Sequence, residues 1–146
     1  MVSQLLGAVT GVIAANAVFG EAVVAGSDMV RSGQQMVVSE FIVTFVLVLL
    51  VLGLVRSGHQ TAAAGAVGAW VVAIILASPS TGFANPAVTL ARGLTDTYTG
   101  IAASSIAWFV TAQMLGGAAA AGVAFVLYPS ADDDVDQADS SVEVER

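Results

Sequence analysis

The sequence predicts an all-α membrane protein with about four membrane-crossing helices and one short helix that dips into the bilayer and returns. Three observations carry this. Hydrophobic residues make up 57% of the 146-residue chain, charged residues only 10%, and mean hydropathy is +0.87, far above that of an average soluble chain. The apolar residues fall into four runs of roughly 17–28 residues, enough at 1.5 Å per residue to cross a ~30 Å hydrocarbon core. Between the third and fourth runs stands S-T-G-F-A-N-P-A-V-T-L-A-R (80–92). A lipid-exposed break there would leave backbone groups unpaired at several kcal/mol each, so it must line a cavity or be wrapped by protein.

The first run, Val2 to about Gly26, is interrupted by Gln4, Asn16 and Glu21. No basic residue precedes Arg31, so the charged start of a signal peptide is missing and the run reads as a membrane helix. A polar stretch, Ser27 to Gln35, leads to Val37–Val55, an apolar run carrying Ser39, Glu40 and Thr44. After the turn R-S-G-H-Q (56–60), Thr61–Ala77 is apolar again. Asn85–Leu94 is too short to span, since ten residues cover about 15 Å, half the core. Asn is a strong N-cap and Pro is favoured at the first helical position. Asn85-Pro86 therefore predicts a half-helix starting near the midplane, with Gly93 as its stop. A polar link, T-D-T-Y-T-G (95–100), precedes the last run, Ile101–Tyr128, which Pro129 ends.

Charge separates residues 1–129, a nearly uncharged membrane domain, from residues 130–146. The tail from Asp132 to Arg146 holds seven acids and one Arg, and the chain's net charge is −7. That composition is too acidic and too poor in apolar residues to fold alone, and disorder is expected. There is no cysteine, one histidine and no lysine. Neither disulfide nor thiolate metal site is available, and no paired carboxylates, phosphate loop or basic patch appears. No enzyme activity, cofactor, metal or nucleic-acid partner is expected.

The polar residues inside the runs carry what chemistry there is. If the Asn85 oxygen caps the half-helix, its NH2 faces the cavity beside a helix end worth about +0.5 charge. Such a point favours neutral or anionic solutes and repels cations, protons included. Glu40 and Thr44 share one helix face. An intramembrane carboxylate should face the bundle and find donors; the other reading puts Glu40 at the interface. Gln113 reads as an interhelical hydrogen-bond partner. Gly7, Gly11, Gly116, Gly117, Ala120, Ala121 and Gly122 permit close helix crossing. Trp70 and Trp108 read as packing residues or interface anchors, and His59 as a loop residue.

Three stretches carry a family resemblance: N-P-A-V-T-L-A (85–91), S-E-F-I-V-T-F (39–45) and W-F-V-T-A-Q-M-L-G-G-A (108–118). Together, and in this order, they resemble the aquaporin and glycerol-facilitator (major intrinsic protein) family over roughly residues 4–128. That family folds as a right-handed helical bundle of two inverted repeats. Q-L-L-G-A (4–8) returns as Q-M-L-G-G (113–117), 109 residues later. The resemblance therefore implies that 2–24 is the last helix of a first repeat and 37–128 a second repeat. It implies pore roles for Asn85, Pro86, Ala87 and Val88, and a constriction position near Ala73 or Ile74. Glu40 would accept hydrogen bonds from the backbone of the re-entrant loop, with Thr44 and Gln113 in support. The usual second repeat has Arg where Val88 stands. Arg92, one turn on, reads either as a vestibule cation or as an interfacial Arg snorkelling to water. A constriction without Arg or His implies a wider passage, closer to channels for glycerol or neutral metalloid hydroxides.

The expected function is a passive channel for water or small neutral solutes in the cell membrane. Two rivals stand beside it: a non-conducting half-channel needing a partner chain, and an ion-coupled transporter, for which mid-depth charges are too few. Gln113 follows Asn85 by 28 residues, so a first repeat of equal spacing would place its own Asn-Pro-Ala about 25 residues before Met1. The partners implied are the lipid bilayer, small neutral solutes, and either a homotetramer or a complementary half-channel chain. Family topology would put Ser27–Gln35 and the break outside, with Arg56–Gln60 and the acidic tail in the cytoplasm.

Overall fold

The computed structural model describes residues 2–128, and every regular element among them is helical. The acidic tail, 130–146, lies outside the described residues. In chain order the elements are α1 (Val2–Phe19), α2 (Gln34–Arg56), a single 3-10 turn (Gln60–Ala62) continuing into α3 (Ala63–Ala77), α4 (Pro86–Arg92) and α5 (Ala103–Leu127). Four stretches, α1, α2, Gln60–Ala77 and α5, are long and apolar enough to cross a membrane. Helices are what such sequences must form in hydrocarbon, because only there does each segment satisfy its own backbone.

The α2–α5 pair is the spine, and it packs more extensively than any other pair of elements. It closes because Gly116 brings α5 against the backbone of Phe41, where a Cβ would overlap the Phe41 carbonyl. At the other end Arg56 reaches across to the carbonyls of Ala124 (3.0 Å) and Tyr128 (2.8 Å). Trp70 fastens α3 to α2 by donating from its indole nitrogen to the Val43 carbonyl at 3.2 Å. Trp108 instead stands 66% exposed. His59 is exposed in its turn, 3.2 Å from the Ser57 hydroxyl.

The first helix is shorter than its hydropathy suggests. It ends at Phe19 rather than near Gly26, because Gly20 turns to φ +76 and the Glu21 N–H folds back to the Asn16 carbonyl. The buried Asn16 amide then holds the Val23 and Leu94 carbonyls and takes a 2.7 Å hydrogen bond from Thr95. Residues 20–33 consequently run as a strap across the end of α4. Ala25 and Ser27 donate backbone N–H groups to Leu94 and Gly93, and Ala102 donates to Met29. The half-helix is α4, seven residues long, or about 10 Å. It packs against α1 on one side and α5 on the other.

Candidate functional site

Asn85 caps α4: its Oδ1 accepts from the Ala87 N–H at 2.8 Å, with Pro86 at the first helical position. Oxygen is thereby used, and the side-chain NH2 takes no partner among the described residues. The loop that delivers Asn85 is tight. Thr81 (φ +61), Gly82 (φ +58) and Ala84 (φ +49) all lie in the left-handed region, costing about 1–2 kcal/mol for each of the two non-glycine residues. At Gly82 any Cβ would overlap the Ile74 side chain, so α3 and the loop fit only with glycine there.

Glu40 holds this loop in place. It is fully buried on α2, and its two carboxylate oxygens accept from the Phe83 and Ala84 N–H groups at 3.0 Å each. Gln113 of α5 donates to the same carboxylate at 2.6 Å and to the Thr89 hydroxyl at 2.8 Å. That hydroxyl lies 3.0 Å from the Asn85 carbonyl. One network thus joins α2, the loop, α4 and α5. Charge-assisted bonds of this kind are about twice as strong as neutral ones. Burial of Glu40 and Gln113 strengthens them further by lowering the local dielectric. Thr44, one turn from Glu40, does not join: its hydroxyl is buried without a partner among the described residues.

Two cavities meet at Asn85. The larger, ≈ 560 Å³, lies between α2 and α5 and is lined among others by Thr44, Leu47, Asn85, Pro86 and Gln113. The smaller, ≈ 210 Å³, lies between α1 and α4 and is lined among others by Gln4, Asn85, Pro86 and Ala87. Ile74 and Val88 line neither cavity. Ile74 is 3% exposed, packed with Val43 and Ala84 beneath the loop, because Gly82 presses onto it; its neighbour Ala73 is exposed. Arg92 is partly exposed. Its guanidinium lies 4.2 Å from the centre of the Phe83 ring, with one terminal nitrogen buried and without an acceptor among the described residues.

Sequence reasoning missed Phe83, Thr89 and Arg31. Arg31 comes from the strap and is 7% exposed, with its guanidinium 5.0 Å from the same Phe83 ring. Its donors reach the Gly100 and Tyr98 carbonyls at 2.7 Å each and the Ser80 carbonyl at 3.4 Å. Burial pulls its pKa below the ordinary value, while Tyr98 and Glu40 push it back up. Only its position as a lone cation in a polar stretch hinted at this. Thr89 stood inside the quoted motif, and its hydroxyl at i+4 from Asn85 was a readable signal for back-bonding.

Over 120 residues the chain is 36% identical to the aquaglyceroporin AqpS of Rhizobium meliloti (strain 1021), a match covering 82% of this chain and 51% of the relative. The chain belongs to the aquaporin and glycerol-facilitator family. It spans about half the length of the curated relative it matches. No family model matches, and no solved structure matches. For an aquaporin-family chain the arrangement is chemically simple. The described residues hold no group of acidic or histidine side chains fit for a metal. They offer instead a rigidly held amide beside a helix N-terminus, over an apolar cavity.

Proposed function

We propose that this chain is part of a passive membrane channel that passes water and small neutral solutes such as glycerol or metalloid hydroxides. One observation carries the reading: Glu40 and Gln113 lock the loop so that Asn85 caps α4 and opens onto a ≈ 560 Å³ cavity. A fixed amide donor at a helix N-terminus replaces part of a neutral solute's hydration and disfavours cations. Val88 presents no donor at the next turn, which suits solutes larger than water. Asn85→Leu is expected to abolish glycerol-driven swelling of vesicles while the protein still reaches the membrane; undiminished swelling would remove Asn85 from the path. Val88→Arg is expected to favour water over glycerol, and unchanged selectivity would place position 88 outside the pore.

The second reading is a half-channel that conducts only with a complementary half-helix. What favours it is length: α4 has seven residues, or about 10 Å against a ~30 Å core. A second Asn-Pro half-helix must therefore come from elsewhere in the full assembly, whether upstream residues, a partner chain or a tetrameric neighbour. We place the protein in the cell membrane with the acidic tail cytoplasmic. Cysteines introduced at Ser57 and Ser140 are expected to label from the same side, and opposite labelling would overturn this topology.

A further inference from the structure

The polar link T-D-T-Y-T-G (95–100) closes against the end of α1 around a cavity of ≈ 360 Å³, within the range of about 300–1,000 Å³ usual for ligand pockets. This cavity shares no lining residue with the two at Asn85, and neither Arg31 nor Arg92 lines it. Its hydroxyls form a ladder whose direction is fixed from the buried end. The Asn16 amide nitrogen donates to the Val23 and Leu94 carbonyls, so Oδ1 is left to accept, and it takes the Thr95 hydrogen at 2.7 Å. A hydroxyl has one hydrogen to give. Thr95 therefore accepts from Thr97 at 3.1 Å, and Thr97 in turn accepts from Thr99 at 3.1 Å. Each ladder hydrogen points inward along the chain. Thr97 and Thr99 keep only lone pairs for the pocket.

The rest of the lining agrees in sign. Glu21 brings a carboxylate, and its backbone N–H bonds the Asn16 carbonyl at 2.8 Å, which ties it to the same asparagine. Phe19 and Tyr98 add exposed aromatic rings, whose faces attract cations. Asp96, between the first two rungs, accepts from the Asp28 N–H at 3.1 Å. Against these acids stands Arg31, whose guanidinium bonds the Tyr98 and Gly100 carbonyls, so three acids face one cation around the link. One lining carboxylate is too few for a divalent metal. Hydroxyl lone pairs, a carboxylate and aromatic rings together select a ligand that donates and is positively charged. We propose that this pocket binds a primary alkylammonium group, carried either by a small free amine or by an ethanolamine lipid headgroup. Its N–H groups donate to the Thr97 and Thr99 oxygens, and its charge lies beside Glu21 and the rings. The inference does not depend on the channel reading.

The test titrates the full-length protein in a non-ionic maltoside detergent with ethanolammonium chloride, followed by saturation-transfer NMR. Propan-1-ol is the neutral isostere, and tetramethylammonium is a cation without N–H. Native mass spectrometry of the same protein with ethanolamine, choline and glycerol phospholipids provides the lipid arm. Ethanolammonium or the ethanolamine lipid is expected to bind in preference to its controls. Binding of the free amine identifies a soluble ligand, and selective retention of the ethanolamine lipid alone identifies a headgroup. Glu21→Gln is expected to weaken that binding about fivefold, as for a unit charge ~4 Å away in water. Thr99→Val is expected to weaken it too, while leaving tetramethylammonium unchanged, since only an N–H uses the ladder. Both side chains are exposed, so the variants should keep the fold. Absence of both free-amine binding and ethanolamine-lipid selectivity overturns the proposal, as does unchanged binding in Glu21→Gln. Propan-1-ol binding as tightly as ethanolammonium overturns it, and so does an equal loss of both cations in Thr99→Val. Glycerol-driven swelling should be untouched by Glu21→Gln, so failure of this site and failure of the channel reading register separately.

Discussion

Q-L-L-G-A at the start of α1 and Q-M-L-G-G in α5 are nearly the same words in two different surroundings. In α5, Gln113 is 1% exposed and donates to both Glu40 and Thr89, and Gly116 lets the backbone of Phe41 approach to contact. In α1, Gln4 is exposed and lines both cavities at Asn85, while a Cβ at Gly7 or Gly11 would meet nothing within 4 Å. A small-residue motif is thus a capacity for close packing, and a facing helix turns it into structure. Within the described residues α5 has α2 against it, while the only helix that α1 packs on is the short α4.

Removing the centre of the α5 side should have the largest effect. Glu40→Ala leaves the Phe83 and Ala84 N–H groups and the Gln113 amide without their acceptor. Buried unsatisfied donors cost about 1–3 kcal/mol each, so a loss of about 3 kcal/mol or more is expected in reversible unfolding by denaturing detergent. Gly116→Ala comes next: its methyl group has to displace the Phe41 carbonyl, and overpacking of this kind costs about 1–3 kcal/mol. The matching changes in α1, Gln4→Ala and Gly7→Ala, should stay within about 0.5 kcal/mol in the same assay. Equal losses from Gly7→Ala and Gly116→Ala would break the comparison, because α1 would then be packed as tightly as α5.

Much of the architecture was legible in the residues. Four apolar runs became four helices because hydrocarbon leaves the backbone no other partner. Asn85-Pro86 began α4 because the cap is a bond between neighbours, Asn85 to Ala87, and needs nothing distant. Helix ends were less legible where side chains from afar intervened. Gly20, at φ +76, is a local stop for α1 that hydropathy alone does not show; the anchoring of that end waits for the fold, since Asn16 finds Thr95 and Leu94 only once the chain has folded back.

The site divides along the same line. Hydropathy, capping residues and the glycines that permit close crossing are properties of a segment and its immediate neighbours, and the sequence by itself determined them. Whether a charged side chain is sunk or surfaced depends on which carbonyls and rings lie beside it after folding. Arg31 bonds Gly100, 69 residues away, and Arg92 lies over the Phe83 ring. Ile74, expected near the constriction, is drawn under the loop by Gly82. Those placements belong to the tertiary structure alone, because burial energy is set by the contacts a residue ends among and not by the residues it follows.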